Sequence, residues 1–234
     1  MKIESKGMEL NPKKSKVMIV SKQPREDKTM NITRKNENLE LVQQFDYLGT
    51  ILSQDGRVDK EIQNRVQKAM DAMSQTIFGM KEVNKTTKCR LYNALLEPIL
   101  LYGCGSWASQ DKHMSKVNSV QMKVLRRIVG KTKFNRIRNN KIRMELNQTP
   151  ITQRIVEKQL QWYGHVRRMH KTRKPKQYME ARPEGKRMRG RQRRTYLEII
   201  EQHGRVRGKT LREMDKMTTD RQKWKAFSRT HPTP

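Results

Sequence analysis

The chain has 234 residues, of which 53 are lysine or arginine and 23 are acidic, giving a net charge of +30. Apolar side chains make up 33%, fewer than a fully packed chain carries, so part of it lies outside a core. No run approaches the ~20 apolar residues of a membrane span, residues 1–10 hold no signal-peptide stretch, and Cys89 with Cys104 makes neither a disulfide framework nor a C-x-x-C metal pair, so a reduced intracellular setting is expected.

The chain opens on β-branched, apolar segments. Residues 16–22 read as a strand, and 38–42 and 47–52 as two more. Gln54-Asp55-Gly56 is turn chemistry. The first 57 residues therefore predict a small antiparallel sheet, which needs a cover for its apolar face. Helices follow. Asp59 is placed to cap a helix in which Ile62, Val66, Ala69, Met70, Met73 and Ile77 recur at three- and four-residue steps, with Gly79 at its end. Thr86 can cap the next, with Leu91, Leu95 and Ile99 on one face and Pro98 dividing it.

A third helix is predicted over 117–129. Val117, Val120, Val124 and Ile128 face inward, Lys116, Lys123, Arg126 and Arg127 outward, and Gly130 stops it. Thr149-Pro150 sets a cap before a first-turn proline. Ile151, Ile155, Leu160, Trp162, Val166 and Met169 continue as an apolar set. Residues 171–194 carry prolines, glycines and basic residues and read as a linker or disordered arm. A weak helical region over 196–227 closes the pattern, with Leu197, Ile200, Leu211, Met214, Trp224 and Phe227. The fold class expected is α+β, mainly α.

The charge is uneven. Residues 1–111 hold 18 basic and 14 acidic side chains, residues 112–234 hold 35 and 9. A net of +26 in the second part points to a polyanionic partner, RNA or DNA. Residues 186–194 (KRMRGRQRR) are six-ninths basic. They read either as a solvated tail or nuclear localisation signal, or as phosphate contacts acting through counterion release. Trp162, Tyr163, His165, Arg167 and Arg168 could stack on bases, but Trp162, Val166 and Met169 share a helical face. That spacing places Trp162 in the core and Arg167 and Arg168 outside. A membrane surface fits less well, because no strongly basic helix carries a broad apolar face.

Signals for catalysis are missing. There is no Asp-Asp pair, D-x-D, G-x-S-x-G, Walker loop or H-E-x-x-H. The histidines are scattered, and His165 and His170, five apart, do not share a helix face for zinc.

Several segments in order resemble one family: Gly7-Met8-Glu9-Leu10-Asn11 with Lys14-Ser15-Lys16; Phe45-Asp46-Tyr47-Leu48-Gly49; Glu61-Ile62 with Arg65-Val66; Leu91-Tyr92, Pro98, Leu100-Leu101-Tyr102-Gly103 and Trp107; Leu125-Arg126-Arg127-Ile128 with Gly130; Trp162, Gly164-His165-Val166 and Arg168-Met169; Gly185-Lys186-Arg187 and Gly190-Arg191. Over residues 7–196 the chain resembles the C-terminal part of a non-LTR, LINE-type retrotransposon reverse transcriptase of the RTE-like group. Where that family usually has Y-G-x-E-x-W, this chain has Gly105 in place of the acid. In place of its G-R-P-x-x-x-W, the chain reads Gly190-Arg191-Gln192-Arg193-Arg194-Thr195-Tyr196.

The resemblance implies four parts. Residues 1–57 would be the end of the polymerase palm, 58–130 a helical thumb, 131–170 a basic helical extension, and 171–234 a basic arm with weak helices. Lys14 would be the motif lysine near the incoming nucleotide's phosphates. Phe45, Asp46, Tyr47, Leu48 and Gly49 would form a primer-grip-like element. Lys123, Arg126, Arg127, Arg167, Arg168, Lys186, Arg187, Arg189, Arg191, Arg193 and Arg194 would contact nucleic acid. The family's Y-x-D-D box would precede Lys14 and is not in these residues. No metal or cofactor is therefore expected on this chain alone, Mg²⁺ being expected only for the complete polymerase. Three readings stand side by side: a polymerase segment that binds template and primer but is inactive alone, a stand-alone domesticated RNA- or DNA-binding protein, and a pseudogene product. A nuclear or nucleo-cytoplasmic location goes with all three.

Overall fold

The computed structural model describes residues 7, 11, 14–20, 32–34, 37–181, 190 and 194–230. It is mainly helical, 62% helix against 7% strand, as the α+β reading expects. The chain forms two compact units, Met1–Asn64 and Arg65–Pro234.

In the first unit the described strands pair two by two. β1 (Lys16–Val17) runs parallel to β4 (Glu40–Leu41), and Lys16 pairs with Glu40 at 2.9 Å. The long connection between them permits a parallel ladder, which a tight hairpin does not, so this pair departs from the antiparallel expectation. β2 (Thr33–Arg34) and β3 (Glu37–Asn38) form an antiparallel pair. β5 (Gln44–Tyr47) and β6 (Thr50–Ser53) make the longest ladder, with Phe45 opposite Leu52 and Tyr47 opposite Thr50.

The sequence predicts one strand across 47–52. The structure breaks it at Leu48 and Gly49, both at positive φ (51° and 75°). Two successive positive φ angles suit a two-residue hairpin, because their twist matches the flanking strands. The predicted Gln54-Asp55-Gly56 turn is present: the Gly56 N–H donates to the Ser53 carbonyl at 2.9 Å, and the Asp55 carboxylate accepts from the Arg57 N–H at 2.9 Å. The buried Glu61 carboxylate accepts the Ile51 N–H at 2.7 Å and so ties β6 to α1 (Asp59–Ser74).

α1 crosses from the first unit into the second. Ala69 and Met73 lie on its buried side. It ends earlier than periodicity predicts, because the Ser74 hydroxyl turns back to the Asp71 carbonyl at 2.6 Å and offers the backbone an alternative to the next turn. Ile77 then falls in a 3₁₀ turn, Ile77–Gly79. α2 (Lys85–Leu91) is capped by Asn84, whose side chain accepts the Thr87 N–H at 2.7 Å, and not by Thr86. A π turn, Tyr92–Leu96, separates α2 from α3 (Glu97–Leu101). Pro98 follows the π turn at the start of α3, and with no N–H to donate it interrupts the α-helical hydrogen-bond ladder there. The buried face is Tyr92, Leu96 and Leu100, one residue on from the predicted Leu91, Leu95 and Ile99.

α4 (Asp111–Ile128) buries Val117, Val120, Val124 and Ile128 as predicted, with Met122 and Leu125 beside them. Met73, Phe78, Tyr92, Leu96 and Ile142 join its Met122, Val124, Leu125 and Ile128 in one core cluster; Ile142 comes from α5 (Asn139–Glu145). α6 (Ile151–Arg167) starts after Pro150, and Thr149 is not its cap. Instead Gln121 reaches across from α4: its side-chain carbonyl accepts the Ile151 N–H at 3.0 Å and its amide donates to the Thr149 carbonyl at 2.9 Å. Arg143 donates to the same Gln121 carbonyl oxygen at 3.3 Å and to Asn118 at 2.5 Å.

The C-terminal part is better built than its composition suggests. α7 (Lys174–Glu180) lies inside the stretch that reads as a linker. The weak helical region resolves into α8 (Tyr196–Arg205), α9 (Leu211–Thr218) and α10 (Arg221–Arg229). Capping boxes at Thr195/Glu198 and Thr210/Glu213 start α8 and α9, and Asp220 caps α10. These helices enclose a second cluster of Leu160, Tyr163, Ile200, Met214 and Trp224. Its key is Gly164. A Cβ there would stand 2.0 Å from the Trp224 ring nitrogen, so only glycine lets α10 approach α6. The Trp224 Nε1–H donates to the Leu160 carbonyl at 3.0 Å, which satisfies the polar end of a buried indole.

Candidate nucleic-acid interface

The implied site residues fall into distinct surroundings. In the first unit, Lys14 is exposed in a short turn, where the Ser15 hydroxyl donates to the Asn11 carbonyl at 2.7 Å. Phe45, Asp46 and Tyr47 occupy β5, with Leu48 and Gly49 as the turn. Tyr47 and Leu48 are open to solvent, and Phe45 is half-buried. The hairpin thus displays an aromatic and a leucine at its tip on a two-residue turn.

In the second unit α4 has a charged side. Lys112, Lys116, Lys123 and Arg127 are exposed. Steps of four, seven and four residues place them along one stripe about 22 Å long, at 1.5 Å rise per residue. The same helix carries Arg126 on a different azimuth. Arg126 Nη2 donates to Asn139 at 2.7 Å and to the Ile137 carbonyl at 3.3 Å, so this arginine closes the loop after α4.

The basic residues near the end of α6 are engaged inside the fold. Arg167 donates to Glu180 at 2.8 Å and to Asp215 at 2.9 Å. Asp215 also accepts from the Tyr163 hydroxyl. Arg168 donates to the Thr218 carbonyl at 2.8 Å. Both arginines are half-buried, so the expectation that they face outward is corrected: α7 and α9 supply acceptors that the sequence of α6 does not reveal. Arg194 pairs with Asp111 at 2.9 Å. Lys186, Arg187, Arg189, Arg191 and Arg193 lie outside the described residues.

The aromatic cluster on α6 divides differently from its spacing. Tyr163 is buried, while Trp162 is half-buried and stacks at a tilt on the exposed His165, ring centroids 5.5 Å apart. Tyr163 is the inward residue because Asp215 satisfies its hydroxyl. Gly105, where the resembled family carries an acid, touches Trp162: a Cβ there would sit 3.0 Å from the Trp162 Cβ. The Tyr196 hydroxyl lies 3.0 Å from the carbonyls of Gly105 and Gln159 and secures the same junction.

Burial shifts two interior groups, His203 and Cys104, toward their neutral forms. His203 rests at 2.9 Å from Gln159, and burial, with Arg207 and Arg194 nearby, lowers its pKa to about 4. Burial pushes the Cys104 thiol up to about 12, which leaves it an unreactive core residue. A cleft of about 130 Å³ is lined by Asp111, Met114, Val156, Arg194, Ile199 and His203. Small-molecule sites run to about 300–1,000 Å³, so this cleft holds a few waters at most. Among the described residues no cluster of His, Cys, Asp or Glu is arranged to hold a metal ion, and no helix is long and apolar enough to cross a membrane.

One candidate escaped the sequence reading. Phe134, in the loop after α4, is 94% exposed. The signal was present as an aromatic among Lys131, Lys133, Arg136 and Arg138, directly after the Gly130 stop.

Comparison with known protein families, curated proteins and solved structures gives no match.

Proposed function

We propose that the chain is a nucleic-acid-binding segment of a LINE-type reverse transcriptase, retaining template–primer contact without the catalytic centre. One observation carries the reading: a net charge of +26 over residues 112–234, with Lys112, Lys116, Lys123 and Arg127 presented along one exposed side of α4. Binding then proceeds by release of counterions from phosphates and carries little sequence preference. The ordered run of family-like motifs, from Lys14 through Phe45, Asp46, Tyr47, Leu48 and Gly49 to Gly164, supports the polymerase ancestry. On this reading RNA or DNA is the partner and the nucleus or cytoplasm the place of action.

The two Mg²⁺ ions of such a polymerase do not fit these residues. The carboxylates of the family's Y-x-D-D box, which would bridge them, are not in these residues, and phosphoryl transfer depends on that bridge to stabilise its transition state. The chain alone is a binder. A stand-alone domesticated role has one observation in its favour, the closed Trp224 core of α6 with α8–α10, which gives the C-terminal part a fold of its own to conserve.

The test is salt-dependent binding of the 234-residue protein to single-stranded and duplex RNA and DNA, alongside primer extension with Mg²⁺. Binding that weakens steeply with salt, with no extension, supports the reading. Extension by this protein, or no binding at low salt, refutes it.

A further inference from the structure

Lone apolar side chains are common on protein surfaces, so exposure alone does not single out Phe134. Its setting does. Gly130, at φ +67°, ends α4, and the Lys131 N–H returns to the Arg126 carbonyl at 2.9 Å while the Gly130 N–H returns to Arg127 at 3.2 Å. That double closure is a Schellman stop, which fixes the exit direction of the chain.

The tip is a 3₁₀ turn, Lys133–Asn135. The Asn135 side chain accepts from the Thr132 N–H at 2.8 Å and from its hydroxyl at 3.2 Å. The Arg136 N–H donates to the Lys133 carbonyl at 3.0 Å, with Arg136 itself in the left-handed region at φ 52°. Ile137 packs on the core cluster, and Arg126 holds the Ile137 carbonyl and Asn139. Both ends of the loop are anchored, and its apex presents one aromatic ring to water.

The charge around that ring is of one sign. Lys131, Lys133, Arg136 and Arg138 are all exposed, and residues 130–138 contain no acid. None of these four is ion-paired among the described residues. The α4 stripe that ends at Arg127 leads into the same loop. A membrane anchor needs a broad apolar face, and this loop offers one ring. A polyanion with exposed flat faces matches it.

We propose that the 130–138 loop is a base-stacking element: Phe134 stacks on an unpaired base of a single-stranded nucleic acid, while Lys131, Lys133, Arg136 and Arg138 hold the flanking phosphates. The proposal rests on the nucleic-acid reading above and adds the strand state and the contacting residue. Duplex bases are already stacked on each other and offer no free face, whereas single-stranded bases do. Stacking on an aromatic is sequence-tolerant because every base has a π face. The anchored loop lowers the ordering cost of the contact.

The experiment compares the 234-residue protein with Phe134→Ala, Phe134→Leu and Phe134→Tyr. The probes are a fluorescein-labelled single-stranded oligonucleotide, its duplex, and neutral and phosphatidylserine-containing vesicles. The expected result is a loss of about tenfold in single-strand affinity for Phe134→Ala, the scale of one base–aromatic stack. Duplex affinity changes less than twofold, Phe134→Leu behaves like alanine, and Phe134→Tyr restores binding. An exposed ring carries no fold, so all three variants melt with the parent.

Wild-type binding with an unchanged or equally reduced Phe134→Ala on both strand states overturns the stacking element and leaves the nucleic-acid reading standing. Full activity of Phe134→Leu overturns it as well, since any apolar tip would then suffice. No binding by the wild type removes both. Phe134-dependent binding to charged vesicles alone assigns the loop to a membrane surface instead.

Discussion

The basic residues around α4 and those at the end of α6 look alike in composition and are employed differently. On α4 and its following loop, Lys116, Lys123, Arg127 and Lys133 stand in solvent. Near the end of α6, Arg167 and Arg168 serve as joints, clasping Asp215, Glu180 and the Thr218 carbonyl. The first set is available to phosphates and the second is committed to fold. Total charge therefore measures attraction to a polyanion, while the partners of each cation decide where the polyanion can sit.

The largest test of this division strikes the interior that the joint arginines surround. Trp224 is buried, donates to the Leu160 carbonyl, and has Tyr163 and Phe227 rings at 5.9 and 5.3 Å. Trp224→Ala is expected to lower unfolding free energy by about 3–5 kcal/mol. Gly164→Ala, which pushes a methyl into the same ring, should cost about 1–3 kcal/mol or more. Urea denaturation followed by fluorescence reads both. A Trp224→Ala midpoint equal to wild type would mean that α10 does not pack on α6.

A smaller effect comes from His203. Its folded pKa of about 4 lies below the ordinary 6.5, so the unfolded chain takes up the proton first as pH falls. Its contribution is complete above pH 6.5 and disappears between about 6.5 and 4. The slope is worth no more than about 3 kcal/mol over that window. His203→Gln should flatten it. If the wild type and the variant lose stability in parallel from pH 7 to 4, His203 is not held neutral by burial.

Much of the helical core was legible in the sequence, because Val117, Val120, Val124 and Ile128 repeat with the period that an α-helix imposes. The C-terminal helices were faint for a physical reason. Their apolar residues are sparse, and α8 to α10 gain their place from a glycine, Gly164, and from capping boxes, which carry no hydrophobic signal. The caps of α2 and α6 were misread because the acceptors are Asn84 and the distant Gln121. A cap from another helix leaves no local trace. The same applies to the candidate interface. Lys123 and Arg127 could be placed by period alone, whereas Arg167 and Arg168 could not, since Asp215 and Thr218 lie about fifty residues away in sequence.

Arg167→Ala sharpens the comparison from the joint side. The pair with Asp215 is partly shielded from solvent, and its loss should cost about 1 kcal/mol. Salt-dependent binding to a single-stranded oligonucleotide should barely change. A variant as stable as wild type that binds much more weakly would move Arg167 into the interface.

The free side gives the smallest change in stability and the most telling one in binding. Lys116 and Lys123 are exposed and two turns apart on α4, and a surface substitution away from any cap or core contact stays within about 0.5 kcal/mol. Alanine at both should leave the melting curve in place. Each phosphate contact contributes about 0.9 to the slope of log affinity against log salt on duplex DNA, and about 0.7 on single strands. The double variant should therefore flatten that slope by about 1.4 on a single strand, with affinity falling most at low salt. Arg167→Ala, measured beside it, should change stability and leave the slope in place. Reversed results for the two variants would show that the solvent-facing cations of α4 are not the ones that meet the phosphates, and that the contact lies where the fold has already engaged its arginines.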